Sequence, residues 1–459
     1  MEMIEATSDR QPTNARHGRL GLLSGAMAIA LAIAGCTNND ATTPVESPAP
    51  ATSQTSAPTA SPTPVSVGPL APTPLTVATG TNPGDAEGES LNIPQGWTAE
   101  IWANVDGARL AAWTPDGKLL VSSPATGAVV ALTPTENGKA PKASDLLTGL
   151  NGPQGLGFAL DGKVLVVGEE NRIVAYDYLD GAATNPNVLV DNLPSDGHGA
   201  KGIAINGDTV YYSLGSSDNR SVEDRTADPE RGTVWRVSIY GGSNEVVARG
   251  VRNGFALAIA PDKTLFSGVN QMDDQPYPFD DGAGQPGDQV RDYINENPVD
   301  QVSRLTQDVD LGWPYCVPDT TATPDLLNVP YVNDPQLNPA GDKLDCAALP
   351  PTMLGVPAHS APLGLAFTEG TPLGGIIGTG ALITTHGSWN RESPRPPGVV
   401  FSPWDTATQS LGVPVELVNG FQSDAGYRWG RSVTAIPGPD GSLYVTDDEA
   451  GLVYRITPG

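Results

Sequence analysis

Short apolar runs separated by turn residues fill the chain from about residue 89 to its end. The segments GKLLVSSPATGAVVAL, GKVLVVGEENRIVAY and GDTVYYSL each begin at a Gly-containing turn and continue into Val, Leu, Ile and Tyr. A turn, an apolar run, a second turn and another apolar run are typical of antiparallel hairpins. Helical periodicity is weak throughout, so the pattern predicts an all-β fold.

The hairpins recur at a nearly constant interval. Their first three turns contain Gly117, Gly162 and Gly207, and later intervals lengthen, as expected where loops are inserted. A four-stranded unit that repeats every roughly 40–60 residues indicates a β-propeller. The segment 89–459 is therefore predicted to form a six-bladed β-propeller, with seven blades as the alternative. An array of β-sandwiches is the structural rival, but the segment has no Cys–Trp–Cys spacing.

The N-terminus carries a targeting signal. Arg16 and Arg19 precede an apolar run over residues 20–34, which is shorter than the roughly 20 residues of a membrane span. The run ends in LAIAGC, which resembles a bacterial lipobox with Cys36 as the lipid-bearing residue. The prediction is a signal peptide over 1–35 and an exported protein, lipid-anchored on the extracytoplasmic face of the bacterial cell membrane. The alternative is an ordinary secretory signal with a chance cysteine.

A stretch rich in Pro, Thr, Ser and Ala follows the targeting signal. The run PVESPAPATSQTSAPTASPTPVSVGPLAPTP has almost no charge and no aromatic residue. Such a composition does not bury a core. We therefore predict a disordered linker over residues 36–88, which separates the anchor from the propeller at 89–459.

The chain has three cysteines. If Cys36 carries the lipid, Cys316 and Cys346 remain as a pair. An exported protein meets an oxidising environment, so we predict a disulfide between them, with two free thiols as the alternative.

The formal net charge is −27, and no block of like charges accounts for it. A negative surface repels phosphate backbones, which excludes nucleic acid as a partner. The acidity is interpreted as a contribution to solubility.

Histidine is rare, and its placement is informative. Three of the four histidines lie beyond the leader, and each falls next to a predicted strand: His198, His359 and His386. Glycines flank His198, so a ligand has room beside an imidazole that can act as a base, although an ordinary turn histidine is the alternative. Arg252, Arg391 and Arg431 occupy similar places and favour an anionic, planar ligand at the channel mouth.

Two loops carry further candidates. The loop NQMDDQPYPFDDGAGQPGD contains Asn270, Gln271 and Asp273, whose oxygens suit Ca²⁺, although a solvated acidic loop is an equal alternative. The segment HGSWNR contains Trp389, an aromatic side chain that can stack on a flat ligand.

Four of these segments together resemble one family. GVRN, LGWPYC, HSAPLGLAF and HGSWNR are similar to motifs of the glucose/sorbosone dehydrogenases, especially their sorbosone-dehydrogenase-like branch, over residues 95–458. The family consists of six-bladed quinoproteins that bind pyrroloquinoline quinone (PQQ) and Ca²⁺. The resemblance implies a PQQ-dependent sugar or aldehyde dehydrogenase that passes electrons to a separate acceptor, a quinone or a cytochrome.

The resemblance also assigns roles. It implies that His198 takes the hydroxyl proton of the substrate while a hydride passes to C5 of PQQ, with Arg252 beside the quinone oxygens. The implied cofactor-binding residues are Asn253, His359, Arg391, Arg431 and Lys201. The implied metal ligands are Gln271 and Met272 through their carbonyls, the carboxylate of Asp273, and Asn270.

The sequence departs from the family at three positions. In the segment HGSWNR, the family's PQQ-contacting lysine has no counterpart, and Arg391 is the candidate substitute. Gly197 replaces the acidic residue before the base, so the sequence names no group that orients the imidazole, and Gly254 replaces a proline. A binding propeller without activity and a Ca²⁺-dependent lactonase remain as alternative functions.

Overall fold

The computed structural model describes residues 67–459. The predicted signal peptide, the lipidation site Cys36 and the predicted linker up to residue 66 lie outside the described residues. Within the described range the fold is all-β, with six mainly antiparallel sheets of four or five strands, two additional two-stranded sheets and two short α-helices. The prediction of a six-bladed β-propeller is confirmed. No helix among residues 67–459 is long and apolar enough to cross a bilayer.

Four strands precede the first blade. They are β1 (Leu70–Pro74), β2 (Thr76–Val77), β3 (Ser90–Pro94) and β4 (Thr98–Asn104), with a 3₁₀ helix at Gly84–Ala86. β1 pairs antiparallel with β3, and β2 pairs parallel with β4. The structure thus corrects the linker boundary at 88, because Val67 and Leu75 pack against the core despite their Pro-rich surroundings.

The first three blades are regular four-stranded meanders. The first blade comprises β5 (Ala111–Trp113), β6 (Leu119–Ser123), β7 (Ala128–Thr133) and β8 (Lys142–Leu147). The second comprises β9 (Leu156–Ala159), β10 (Val164–Glu169), β11 (Arg172–Leu179) and β12 (Ala182–Val190). The third comprises β13 (Ile203–Asn206), β14 (Thr209–Leu214), β15 (Thr233–Ser238) and β16 (Glu245–Arg249), with a 3₁₀ helix at Glu223–Thr226.

The fourth blade carries the long insertions. Its chain order is β17 (Asn253–Ile259), β18 (Leu265–Asn270), α1 (Arg291–Glu296), β19 (Asp300–Leu305), β20 (Val309–Asp310), β21 (Cys316–Pro318), β22 (Leu327–Val329), β23 (Tyr331–Asn333) and β24 (Thr352–Val356). Within this insertion β20 joins the third blade, and β21 pairs only with β23. A disulfide joins Cys316 to Cys346, which begins a 3₁₀ helix ending at Ala348.

The last two blades complete the ring. The fifth comprises β25 (Pro362–Phe367), α2 (Gly374–Ile377), β26 (Gly380–Thr385), β27 (Gly398–Asp405), β28 (Ser410–Leu411) and β29 (Val415–Val418). The sixth comprises β30 (Ser432–Pro437), β31 (Leu443–Asp447) and β32 (Leu452–Thr457), and β4 supplies its fourth strand. Because β4 comes from the start of the domain, its pairing with β32 closes the propeller.

Apolar clusters fill the interfaces between neighbouring blades. Between the first two blades, for example, Leu120 and Val129 pack with Leu165 and Val174. The second strand of a blade is covered on both faces, so β6, β18, β26 and β31 are buried at every residue. This double burial explains why these strands read as continuous apolar runs rather than as alternating patterns.

The propeller brings one set of loops to the same end of the axis. The loop before the first strand of a blade and the loop after its second strand lie at the same end, because consecutive strands are antiparallel. The three predicted histidines and the predicted arginines belong to these two loop types.

Removal of the disulfide is expected to destabilise the fourth-blade insertion. A bridge across 30 residues stabilises the folded state by about 3–4 kcal/mol through chain entropy. The double variant Cys316→Ala/Cys346→Ala should lose about that much free energy of unfolding in denaturant titrations. An unchanged unfolding midpoint in both the variant and the reduced protein would contradict the assignment.

Candidate active site

A cavity of about 190 Å³ lies at this end of the propeller. Most of the residues singled out in the sequence line it: His198, Arg252, Asn253, Asn270, Gln271, Asp273, His359 and Arg431. They come from loops of the third to the sixth blade. The fold thus brings together predicted residues that are up to 233 positions apart in the chain.

Three predicted residues do not line the cavity, namely Lys201, Met272 and Arg391. Lys201 is fully buried, and its Nζ donates to the carbonyls of Pro194, at 2.9 Å, and Gly199. Met272 packs against Trp313 and Val317 in an apolar cluster.

The side chain of Arg391 contacts the segment around α1 and not the cavity. Its Nε donates to Asn295 O at 3.0 Å, and its guanidinium pairs with Glu296. The prediction that Lys201 and Arg391 contact a cofactor is therefore not matched by their positions in this structure.

Buried turns hold His198 in place. Gly197 has a φ of +59°, and a Cβ there would collide with Ser217 O, so only glycine fits. The backbone N–H of His198 donates to Ser216 O at 2.9 Å. Its Nδ1 lies 2.9 Å from Ser216 Oγ, a partner that the sequence analysis missed because Ser216 lies 18 residues away.

Arg252 organises the wall of the cavity. Its Nη1 donates to Gln271 O at 2.7 Å and Asn270 O at 3.2 Å, and its Nη2 donates to Asn219 Oδ1 at 2.8 Å. Nη2 also lies 3.6 Å from Asp273 Oδ2. Arg252 thereby fixes the loop that follows β18.

The glycine after Asn253 is a packing requirement. A Cβ at Gly254 would collide with Val251 and approach the hydroxyl of Ser267. A side chain at this position would therefore require Val251 and Ser267 to move.

The other two histidines are also tied to backbone carbonyls. His359 Nε2 lies 2.7 Å from Ile294 O, and His386 Nδ1 lies 2.9 Å from Ser432 O. A carbonyl oxygen can only accept, so each of these nitrogens carries a proton. His386 lines the cavity as well, as the sequence placement had suggested.

Burial keeps two of these imidazoles uncharged. Desolvation, followed by the charge of Arg252, lowers the pKa of His198 to about 4. Desolvation and the nearby Arg431 hold the pKa of His386 well below its ordinary value. Both side chains are therefore neutral at physiological pH.

The cavity also contains a buried acid that the sequence analysis missed. Asp300 accepts hydrogen bonds from the backbone N–H groups of Gln271 and Ala361, both at 2.8 Å. It thereby joins the loops of the fourth and fifth blades. Desolvation raises the pKa of Asp300 to about 7, against the opposing effect of these two hydrogen bonds. No motif marks Asp300, since it is the first residue of an ordinary strand.

Several polar atoms in the wall have no protein partner. Among residues 67–459, Asn270 Oδ1 and both amide atoms of Gln271 are buried without a hydrogen bond. Arg431 donates to His386 O at 3.0 Å but forms no ion pair with any described residue. Buried polar groups in folded proteins are nearly always paired, so this wall favours a polar, anionic ligand.

Trp389 stands at the mouth of the cavity. Its side chain is 73% exposed, although it is large and apolar. The loop that carries it is braced, because Asn390 Nδ2 donates to Asp273 O at 3.1 Å and Ser388 N donates to Arg395 O at 3.1 Å. An exposed aromatic ring on a held loop can stack on a ligand.

An apolar plug closes the floor of the cavity. Phe255, Leu363 and Val433 pack together from the first strands of three blades. Below them the channel is lined by aliphatic residues of the innermost strands, such as Leu156, Ile203 and Ile436.

Acidic and histidine side chains do not form a metal centre by themselves. Within the described part of the chain, no group of three or more His, Cys, Asp or Glu side chains is arranged to hold a metal ion.

The fold and the cavity define a six-bladed β-propeller with a polar ligand site at one mouth. The chain belongs to the TrAA12-like family, whose sequence profile matches residues 91–458. This match confirms the resemblance that the sequence motifs predicted, namely to PQQ-dependent sugar dehydrogenase-like propellers.

Two curated relatives are similar in sequence. The pyrroloquinoline quinone-dependent pyranose dehydrogenase of Coprinopsis cinerea is 26% identical over 298 residues, 59% of this chain and 38% of that protein. An uncharacterized protein of Borreliella burgdorferi is 24% identical over 248 residues, 54% of this chain and 56% of that protein. The chain thus spans less than two thirds of the length of either relative.

Solved structures establish the likeness of the fold. The PQQ domain of the pyranose dehydrogenase from C. cinerea superposes with a TM-score of 0.70 at 19% identity, covering 83% of this chain and 100% of that one. The calcium structure of the family AA12 enzyme from Trichoderma reesei has a TM-score of 0.67 at 19% identity, with coverages of 80% and 96%. The PQQ-bound aldose sugar dehydrogenase from Streptomyces coelicolor has a TM-score of 0.50 at 17% identity, with coverages of 79% and 99%.

The lowered pKa of His198 can be tested by titration. In the protein without cofactor, the imidazole resonances of His198 should titrate near pH 4 and not near the ordinary value of 6.5. Histidine NMR spectra recorded between pH 3.5 and 8 measure this, and the signal is assigned by its loss in His198→Gln. A midpoint above pH 6 would contradict the neutral state derived from burial and Arg252.

Proposed function

We propose that this protein is a PQQ-dependent oxidoreductase that oxidises a sugar or a sugar aldehyde. The observation that carries the proposal is the convergence of a neutral His198, Arg252 and Arg431 on one cavity whose buried amides lack partners. Membership of the TrAA12-like family and the similarity to a PQQ-dependent pyranose dehydrogenase support the same chemistry.

The cavity wall fits PQQ, a flat ring system with three carboxylates. Arg431 forms no ion pair with a described carboxylate, although Asp448 and Glu449 lie near it. Arg252 adds a second positive charge beside Asp273. The free amides of Asn270 and Gln271 offer both donors and acceptors to ring substituents. We therefore assign cofactor binding to these four residues, with Asn253 and His359 completing the wall.

The predicted calcium ligands Asn270, Gln271 and Asp273 lie against Arg252. The carbonyls of Asn270 and Gln271 accept hydrogen bonds from Arg252, and Asp273 faces the same guanidinium. A Ca²⁺ ion at these oxygens would lie next to the guanidinium of Arg252, and the two positive charges would repel each other. Calcium is therefore given no role in the proton transfer, and PQQ binding with and without Ca²⁺ measures its effect.

The base is His198. Its neutral ring can accept the proton of a substrate hydroxyl at physiological pH, and its place in the cavity wall brings it close to a bound substrate. PQQ, when bound, supplies the quinone that accepts the hydride from the substrate carbon. Arg252 and Arg431 hold positive charge where negative charge accumulates, which lowers its energy.

Location and partners belong to the same proposal. We assign the chain to the extracytoplasmic face of the cell membrane, held by a lipid on Cys36. The disulfide between Cys316 and Cys346 supports an oxidising compartment. Electrons leave to a separate quinone or cytochrome. The sorbosone-like substrate preference rests on the HSAPLGLAF and HGSWNR motifs alone.

One experiment tests the proposal. The purified protein is dialysed against PQQ with and without Ca²⁺, and dye reduction is followed with a panel of aldoses and sorbosone. We expect stoichiometric PQQ binding and sugar-dependent reduction. Failure to bind PQQ would overturn the proposal in favour of a binding propeller, and hydrolysis of gluconolactone would favour a lactonase.

Replacement of the base separates binding from turnover. His198→Ala should bind PQQ within about twofold of the wild type and lose roughly 10²–10⁴-fold in turnover, the usual contribution of general base catalysis. The matched variant His386→Gln alters a second neutral histidine of the same cavity and should keep most of the turnover. The reverse pattern in steady-state kinetics would assign the base to His386.

Removal of the exposed ring should weaken substrate binding. Trp389→Ala is expected to raise KM for the sugar by up to about tenfold, since aromatic stacking contributes about 0.5–1.5 kcal/mol, with kcat nearly unchanged. Trp389→Phe should recover part of the loss. Tyr240→Ala is the matched control, because Tyr240 is 72% exposed but does not line the cavity. An unchanged KM in Trp389→Ala would refute the stacking role.

A further inference from the structure

A short chain of hydrogen bonds lies behind His198. Nδ1 is 2.9 Å from Ser216 Oγ, and Ser216 Oγ is 2.8 Å from the carbonyl oxygen of Asp218. The carbonyl can only accept, so the single proton of the Ser216 hydroxyl is donated to Asp218 O. The hydroxyl oxygen must then accept from the imidazole. His198 therefore carries its proton on Nδ1, and the lone pair is on Nε2.

Both partners in this chain are held rigidly. The backbone N–H of His198 donates to Ser216 O at 2.9 Å, and Arg231 Nη2 donates to the same oxygen at 3.2 Å. Arg231 Nη1 also pairs with Asp196 at 2.7 Å, and Lys201 binds two carbonyls of the loop that carries His198. Ser216 itself is fully buried, so water does not compete for its hydroxyl.

We propose that Ser216 is the positioning residue that keeps His198 in the Nδ1–H tautomer and thereby makes Nε2 the nitrogen that accepts the substrate proton. The role of Nε2 in turnover rests on the proposed function, whereas the tautomer does not. Ser216 fills the position that the sequence left open, since Gly197 offers no side chain to orient the ring.

A hydroxyl orients the ring without adding charge. The charged groups that face His198 are Arg252, Arg231 and Asp218, and the two cations outweigh the single carboxylate. A carboxylate in place of Ser216 would raise the pKa of the imidazole and add a buried negative charge. The serine therefore fixes the direction of the lone pair and leaves the imidazole neutral.

The test measures the tautomer and the turnover separately. Two-bond ¹H–¹⁵N correlation spectra of the cofactor-free protein labelled at histidine report which ring nitrogen of His198 carries the proton. We expect the Nδ1–H form in the wild type, a mixture of both forms in Ser216→Ala, and recovery of the Nδ1–H form in Ser216→Thr.

The kinetic readout uses a matched control. Ser216→Ala should lower kcat by roughly 10- to 100-fold, the usual cost of misplacing a catalytic group, while KM and PQQ binding stay within about twofold. Ser213→Ala is the control, because Ser213 is a buried serine near the end of β14, three residues before Ser216, and its hydroxyl oxygen accepts a hydrogen bond from Gly202 N. The control should retain the wild-type tautomer and kcat.

The outcomes separate this inference from the proposed function. An Nε2–H tautomer in the wild-type protein, a measurement that needs no variant, would overturn the inference. An unchanged tautomer and kcat in Ser216→Ala would do the same. A tautomer shift in Ser216→Ala together with a wild type that binds no PQQ would support the positioning role and reject the dehydrogenase.

Discussion

Closure of the ring by β4 is the constraint on which the rest of the structure depends. The strand Thr98–Asn104 comes from the start of the domain and pairs along its length with Leu452–Thr457 at the end. Large apolar clusters lie between neighbouring blades, as at the junctions of the sixth with the first and the first with the second. At the junction of the last and first blades, Tyr444 meets both Trp102 and Trp113 edge to face, at 4.9 and 5.0 Å. The closed ring is what brings loops from four blades to one cavity.

The cavity combines groups that would be costly anywhere else in the protein. Arg252 and Arg431 bring positive charge into a desolvated space, and the same charge and burial keep His198 and His386 neutral. Unpartnered amides and an unpaired guanidinium are tolerated where a ligand satisfies them. The arrangement favours an anionic, oxygen-rich cofactor and leaves a neutral base beside it.

Much of this organisation follows from local sequence, and some does not. The repeating turns at Gly117, Gly162 and Gly207 predict the blades, because each hairpin is specified within a few residues. His198, Arg252 and Arg431 were found because they stand directly before inner strands. Ser216 and Asp300 were missed, since their roles depend on contacts across loops and blades that no local pattern records. The linker boundary was set too late because composition does not show that Val67 and Leu75 reach the core.

The apolar plug of Phe255, Leu363 and Val433 has a kinetic consequence. It separates the polar cavity from the channel beneath, whose lining is mainly aliphatic. If the proposed function holds, substrate, product and electron acceptor would all reach the cavity from the end at which Trp389 lies. Two reactants that use one entrance in turn would give a substituted-enzyme order, in which the first product departs before the acceptor arrives.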